Sequence, residues 1–192
     1  MLSQIHVRKN QPLTIDKTFP NPLIIDELIM DDDSRIIVEC DLEVHVTQSV
    51  TIGRRCLIEA SGLRGLDGDD ALGVPPQAEQ ITPGKTGYPG GDGKPGGRGW
   101  NMSFIWSIST IGDCLIRANG GAGGDGGNGG EGGKGGGALC IGGDGRPGGE
   151  GGIGGHGGRG GDSGKVKLTW NGARFSSLAE SLEKNLGALT RV

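Results

Sequence analysis

Gly120-Gly121-Ala122-Gly123-Gly124-Asp125-Gly126-Gly127-Asn128-Gly129-Gly130-Glu131-Gly132-Gly133-Lys134-Gly135-Gly136-Gly137 is an unbroken series of Gly-Gly-X triplets. After Ala138-Leu139-Cys140-Ile141 the same period of three resumes as GGD-GRP-GGE-GGI-GGH-GGR-GGD and runs to Asp162. Shorter stretches precede it: Gly62 opens GLR-GLD-GDD, and Gly84 opens GKT-GYP-GGD-GKP-GGR to Arg98. A period of three is that of the polyproline II conformation, in which every third side chain points the same way. In a Gly-Gly-X run two of the three faces carry no Cβ, so neighbouring chains can approach closely enough for backbone N–H···O=C bonds and Cα–H···O contacts. Ordering such a run costs roughly 1–2 kcal/mol per residue in backbone entropy, so it requires many neighbours or a template. The reading predicts a polyglycine II-type helical bundle, with Gly127, Gly130, Gly152 and Gly155 at packing positions. Its X residues, Ala122, Asp125, Asn128, Glu131 and Lys134, then Asp144, Pro147, Glu150, Ile153, His156, Arg159 and Asp162, suit a solvated outer face of mixed charge.

Working outward, 43 of the 192 residues are glycine, yet none falls in residues 1–50. An average protein has roughly 7% glycine, so the chain joins two different materials. Hydrophobic content is 33% and aromatic content 4%, too little for apolar burial to order the whole chain. Residues 1–60 read as short strands: Leu13 and Ile15, Leu23 to Ile29, Ile36 to Val38, Leu42 to Val46, Val50 to Ile52, and Leu57-Ile58. Pro20, Asn21-Pro22, Asp31-Asp32-Asp33-Ser34 and Gly53 separate them. A succession of short strands suits a solenoid or a sandwich.

Strands also lie between the glycine blocks, at 100–108, 114–118, 138–141 and 165–170. In the first of these, Trp100, Met102, Phe104, Trp106 and Ile108 share one face. This aromatic stripe has two readings, an apolar seam docking the glycine bundle or an exposed sugar-binding platform. Near the end of the sequence, Ser177-Leu178-Ala179-Glu180 has capping-box spacing. Leu178, Leu182, Leu186 and Leu189 recur at helical steps, predicting a short amphipathic helix. The expected fold class is mostly β: a short-strand framework, solenoid or sandwich, with Gly-triplet loops, a polyglycine II bundle and that C-terminal helix. The expected domains are a β framework at 1–60, a glycine-triplet domain at 61–164 interrupted by strands near 100–118 and 138–141, and a closing strand and helix at 165–192.

Chemistry-bearing motifs are sparse. Cys40, Cys56, Cys114 and Cys140 have no C-x-x-C pair and no nearby histidine, which argues against zinc. Each sits in an apolar run, as buried free thiols do, and disulfides are the other reading. Gly84-Lys85-Thr86 resembles the end of a phosphate-binding loop, but Glu79 stands where that motif needs glycine. His6, His45 and His156 are scattered, and Asp31-Asp32-Asp33 lacks the spaced ligands of a calcium loop. The expectation is therefore no catalytic residue, no metal and no cofactor. A net charge of −4 gives no footprint for nucleic acid, and no window has the ~18 apolar residues of a membrane span. The N-terminus lacks a signal-peptide pattern, so synthesis in the cytoplasm is expected.

The triplets GYP, GKP and GRP resemble bacterial collagen-like sequence. The long Gly-Gly-X runs are more similar to the polyglycine II bundles of receptor-binding adhesins at phage tail-fibre tips, and of a small antifreeze family. The resemblance covers residues 62–98 and 119–164. It implies a non-enzymatic structural or adhesive protein on a virion or cell surface, working with other protein subunits and a cell-surface glycan or protein receptor. Tyr88, Gln77, Glu79 and Gln80 are the receptor-contact candidates, because residues 74–83 break the triplet phase between two glycine blocks. A self-assembling surface filament with a glycine shaft is the alternative, and ice binding a third.

Overall fold

The computed structural model describes residues 2–79, 82–138 and 144–171. They form nine strands: β1 (Leu2–Val7), β2 (Leu13–Ile15), β3 (Leu23–Met30), β4 (Arg35–Val38), β5 (Leu42–Ile52), β6 (Cys56–Glu59), β7 (Met102–Ile111), β8 (Cys114–Arg117) and β9 (Val166–Asn171). Odd strands build one sheet in the order β1-β3-β5-β7-β9, and even strands build the other, β2-β4-β6-β8. Every pairing is parallel. The chain therefore coils, and each turn lays one strand on each sheet.

This corrects the expected fold class. Among the described residues there are two wholly parallel sheets and no helix, so a polyglycine II-type helical bundle is not part of the fold. The expected C-terminal helix lies outside the described residues, as do residues 139–141 of the strand expected at 138–141. The physical reason is connectivity. Short strands joined by short turns look like hairpins, but here consecutive strands enter different sheets, and each pairs with the strand two places later. The glycine triplets, for their part, are extended segments bonded to one another, and the period of three spaces those bonds.

The chain divides into two compact units, one of 1–62, 98–120 and 162–192 and the other of 63–97 and 121–161, so it leaves the first unit and returns to it twice. The first unit holds the strands and the apolar core. In-register stacking puts like on like: Leu23, Val44, Phe104 and Leu168 form one column, and Ile36, Ile58 and Ile116 another. All seven are buried. Alternation explains it, since Leu42, Val44 and Val46 point inward while Glu43 and His45 are only half-buried. Each such burial contributes about 1.5–3 kcal/mol.

The turns stack as well. Asn10, Asp33 and Arg55 each adopt the left-handed backbone region, with φ of 59°, 61° and 53°. Asp33 links the three turns, accepting from Lys9 Nζ at 2.9 Å and from Arg55 Nε at 2.6 Å. A second polar column runs through Asp41, Asn101 and Lys165. Asp41 Oδ1 accepts the Asn101 amide, and Asn101 Oδ1 accepts the Lys165 amide, both at 2.9 Å.

Candidate functional site

The second unit contains the glycine triplets, and its order comes from backbone bonds between four extended segments, 63–79, 82–97, 121–138 and 144–161. The first donates to the third in parallel register, Gly65 to Ala122, Gly68 to Asp125 and Ala71 to Asn128, at 2.7–2.8 Å. The second donates to the fourth in the same way, from Gly84 to Pro147 through Gly96 to Arg159. Antiparallel bonds tie the second segment to the first (Gly91 to Asp69, Lys94 to Leu66, Gly97 to Leu63). Others tie the third to the second (Gly121 to Gly97 through Gly136 to Thr82) and the fourth to the third (Gly149 to Gly133 through Gly161 to Gly121). Each series advances by three residues per bond, which is why the triplet phase is strict.

The four glycines expected to pack are brought together. Gly152 donates to Gly130 at 2.7 Å and Gly155 to Gly127 at 2.8 Å, while Gly130 donates to the Tyr88 carbonyl at 2.8 Å. A Cβ on Gly127, Gly152 or Gly155 would overlap the carbonyl oxygen of Asp69, Tyr88 or Gly91 respectively; on Gly130 it would press on the Ala71 methyl at 3.2 Å. Aspartates complete the network. Asp67 accepts the Asp125 amide, Asp70 the Asn128 amide and Asp92 the His156 amide, all at 2.7 Å. The Asp125 amide, and then Arg64, hold the Asp67 carboxyl below its ordinary pKa. Arg64 bridges Asp67 at 2.8 Å and Asp125 at 2.9 Å.

The receptor-contact candidates lie on this unit. Gln77 and Glu79 are exposed, and Gln80 lies outside the described residues. The segment around them is anchored: Ala78 donates to the Lys134 carbonyl, Gly136 to Thr82 and Arg146 to Gly136, while Thr82 Oγ1 donates to the Glu79 carbonyl at 2.8 Å. Tyr88 is 48% exposed although its carbonyl is engaged by Gly130. The backbone thus fixes these residues while their side chains face solvent. Leu63, Leu66, Leu72 and Val74 are also exposed, and the sequence reading passed over them. Leu63, Leu66 and Leu72 recur at multiples of three, in step with the triplets, although nothing in that spacing alone tells an exposed leucine from a buried one.

The aromatic stripe is in the first unit. Phe104 and Trp106 are buried, with ring centroids 4.9 Å apart. Trp100 is half-buried, with the Arg98 guanidinium 5.0 Å from its ring centroid, a cation–π distance. Arg98 also grips Asp41 through two bonds of 3.1 and 2.9 Å, which lowers the Asp41 pKa and raises that of Arg98. Trp106 Nε1 is buried with no hydrogen-bond partner among the described residues.

Cys40, Cys56 and Cys114 are free thiols, and Cys140 lies outside the described residues. Burial pushes the Cys114 thiol up to about 12, so it stays protonated at neutral pH and is a poor nucleophile. Among the described residues no three His, Cys, Asp or Glu side chains gather as a metal site, and no helix is long and apolar enough to cross a membrane.

Compared with known proteins, the chain matches no family model, no curated protein and no solved structure.

Proposed function

We propose that the chain is a non-enzymatic structural and adhesive protein, a phage virion or tail-fibre component that supplies a rigid attachment or receptor-binding tip. The observation that carries this reading is the glycine array itself. Backbone bonds recur every third residue along four segments and hold exposed Gln77, Glu79 and Tyr88 on an anchored frame. Pre-ordered contact residues lose little entropy on binding, which is what an attachment surface requires. The receptor is a glycan or protein on a cell surface.

The test is binding of fluorescently labelled protein to a panel of bacterial strains with differing surface glycans. The proposal expects saturable binding to a subset of strains, reduced about tenfold or more when Gln77, Glu79 and Tyr88 are changed together to alanine. Binding to none of them, or binding indifferent to that change, contradicts it. The second reading, a filament subunit, draws on the outer strands β1 and β9, each paired on one side only among the described residues. Long uniform fibres in negative-stain microscopy select it, and discrete particles of defined mass exclude it.

A further inference from the structure

Within the glycine unit, the third segment uses two rows of glycine. A Cβ on Gly123, Gly126 or Gly129 would overlap a carbonyl oxygen of the fourth segment, and one on Gly124 or Gly127 a carbonyl oxygen of the first. The fourth segment carries two such rows as well, but only one of them meets a neighbour. Gly152, Gly155 and Gly158 stand against carbonyls of the second segment, whereas a Cβ on Gly151, Gly154, Gly157 or Gly160 would find nothing nearer than 3.5 Å. These last four are exposed, so the folded chain leaves a row without Cβ atoms open along one side. The first segment presents the opposite surface. It and the fourth each bond to both the second and the third, which places them on opposite sides of that pair. On it Leu63, Leu66 and Leu72 are 82, 76 and 88% exposed, and their spacing in multiples of three sets them on one face. An exposed apolar row of this kind marks an interaction surface.

We propose that the leucine row of one copy of this chain seats on the open glycine row of a second copy. Both rows repeat every three residues, about 9 Å at the rise that goes with that period, so leucines on one face meet gaps on the other. The register fits without a shift along the segments. Bonds from Gly97 to Leu63, Gly121 to Gly97 and Gly161 to Gly121 set Leu63 level with Gly161, and the matching bonds through Lys94 and Gly124 set Leu66 level with Gly158. A copy displaced sideways therefore lays Leu63 beside Gly160 and Leu66 beside Gly157. The remaining side chains agree. The same path through Gly91 and Gly127 sets exposed Asp69 level with Gly155, next to His156. One step of three further, Leu72 comes level with Gly152, next to Ile153, itself 78% exposed. A carboxylate thus meets an imidazole, and apolar side chains meet each other. The two faces differ, so the contact is heterologous and repeats from copy to copy. It uses none of Gln77, Glu79 and Tyr88, and is independent of receptor binding.

Sedimentation velocity over a range of concentrations tests this on the full chain, on a Leu63→Asn, Leu66→Asn variant and on a Gly154→Gln, Gly157→Gln variant. The parent should associate as concentration rises, and each variant alone should associate at least about tenfold more weakly. An equimolar mixture of the two variants should form a pair and nothing larger, because each supplies the face that the other lacks. A parent that stays monomeric, association indifferent to either pair of changes, or a mixture that does not pair overturns the proposal. In dilute solution both variants should melt with the parent, since the altered side chains face solvent. Should either melt lower, the deciding measurement is an NOE between the Leu66 methyls of one copy and the Gly157 α-protons of a differently labelled copy of the unmodified chain. Its presence supports the contact and its absence overturns it.

Discussion

The amide of Gly155 donates to the carbonyl of Gly127 at 2.8 Å, and a methyl on either α-carbon would strike a neighbouring backbone oxygen. Two different oxygens, that of Asp69 at Gly127 and that of Gly91 at Gly155, thus exclude side chains from the two glycines that this bond joins. A valine at Gly127 must push the third segment away from Asp69, so Gly127→Val should cost about 2 kcal/mol or more. Gly130, whose added Cβ would meet nothing closer than the Ala71 methyl at 3.2 Å, should tolerate alanine far better. Chemical denaturation of the two variants checks the order, and equal midpoints would show that the close approach at Gly127 is not needed.

The core makes a different demand. Trp106→Ala should destabilise by about 3–5 kcal/mol because it empties a buried aromatic site. Trp106→Phe removes the unpaired Nε1, whose burial costs about 1–3 kcal/mol, and should come out near neutral despite the smaller ring. Urea unfolding separates these outcomes; a phenylalanine variant as unstable as the alanine variant would mean that the indole nitrogen has a partner.

Acid should loosen the molecule through its aspartates. Arg55 and Lys9 hold Asp33 well below the usual carboxylate range, His6 lowers Asp31, Arg98 lowers Asp41, and the Asp125 amide lowers Asp67. A depressed folded pKa contributes stability that is complete above the unfolded value, about 3.9, and is lost as pH falls through the folded value. The melting temperature should therefore be flat near neutrality and fall below about pH 4. Asp33→Asn should shrink that fall. An unchanged acid profile in Asp33→Asn would show that the Lys9–Asp33–Arg55 column contributes little.

At the candidate contact surface, stability and binding should separate. Gln77, Glu79 and Tyr88 face solvent, so their alanine variants should stay within about 0.5 kcal/mol of the parent while cell binding falls. A binding loss that instead tracks melting temperature would trace the effect to the frame.

Much of the strand pattern was legible. Leu13 to Ile15, Ile36 to Val38 and Leu42 to Val46 are strands because β-branched residues alternate or cluster between turn residues, and those signals are local. Parallel pairing was not legible, because it depends on which sheet each strand enters. The recurrence that encodes it, Asn10, Asp33 and Arg55 at turn positions, involves three different residue types. In the triplet region the period was plain, but a period of three does not tell a helix from extended segments whose bonds all run to neighbours. Gln77 and Glu79 could be picked out because residues 74–83 break the triplet phase, whereas Tyr88 lies inside the in-phase triplet Gly87-Tyr88-Pro89. The exposure of Leu63, Leu66 and Leu72 could not, since leucine in a sequence ordinarily signals burial.

The central claim is that backbone approach orders the glycine segments, and adjacent glycines of one repeat test it most directly. Gly154 is exposed, and a Cβ there would have its nearest neighbour at 3.5 Å, whereas one on Gly155 would overlap the Gly91 carbonyl. Thermal melting of Gly154→Ala and Gly155→Ala should show the first unchanged or raised, as loss of unfolded-chain entropy predicts, and the second lowered by about 5 °C or more. Equal melting temperatures for the two variants would contradict the account.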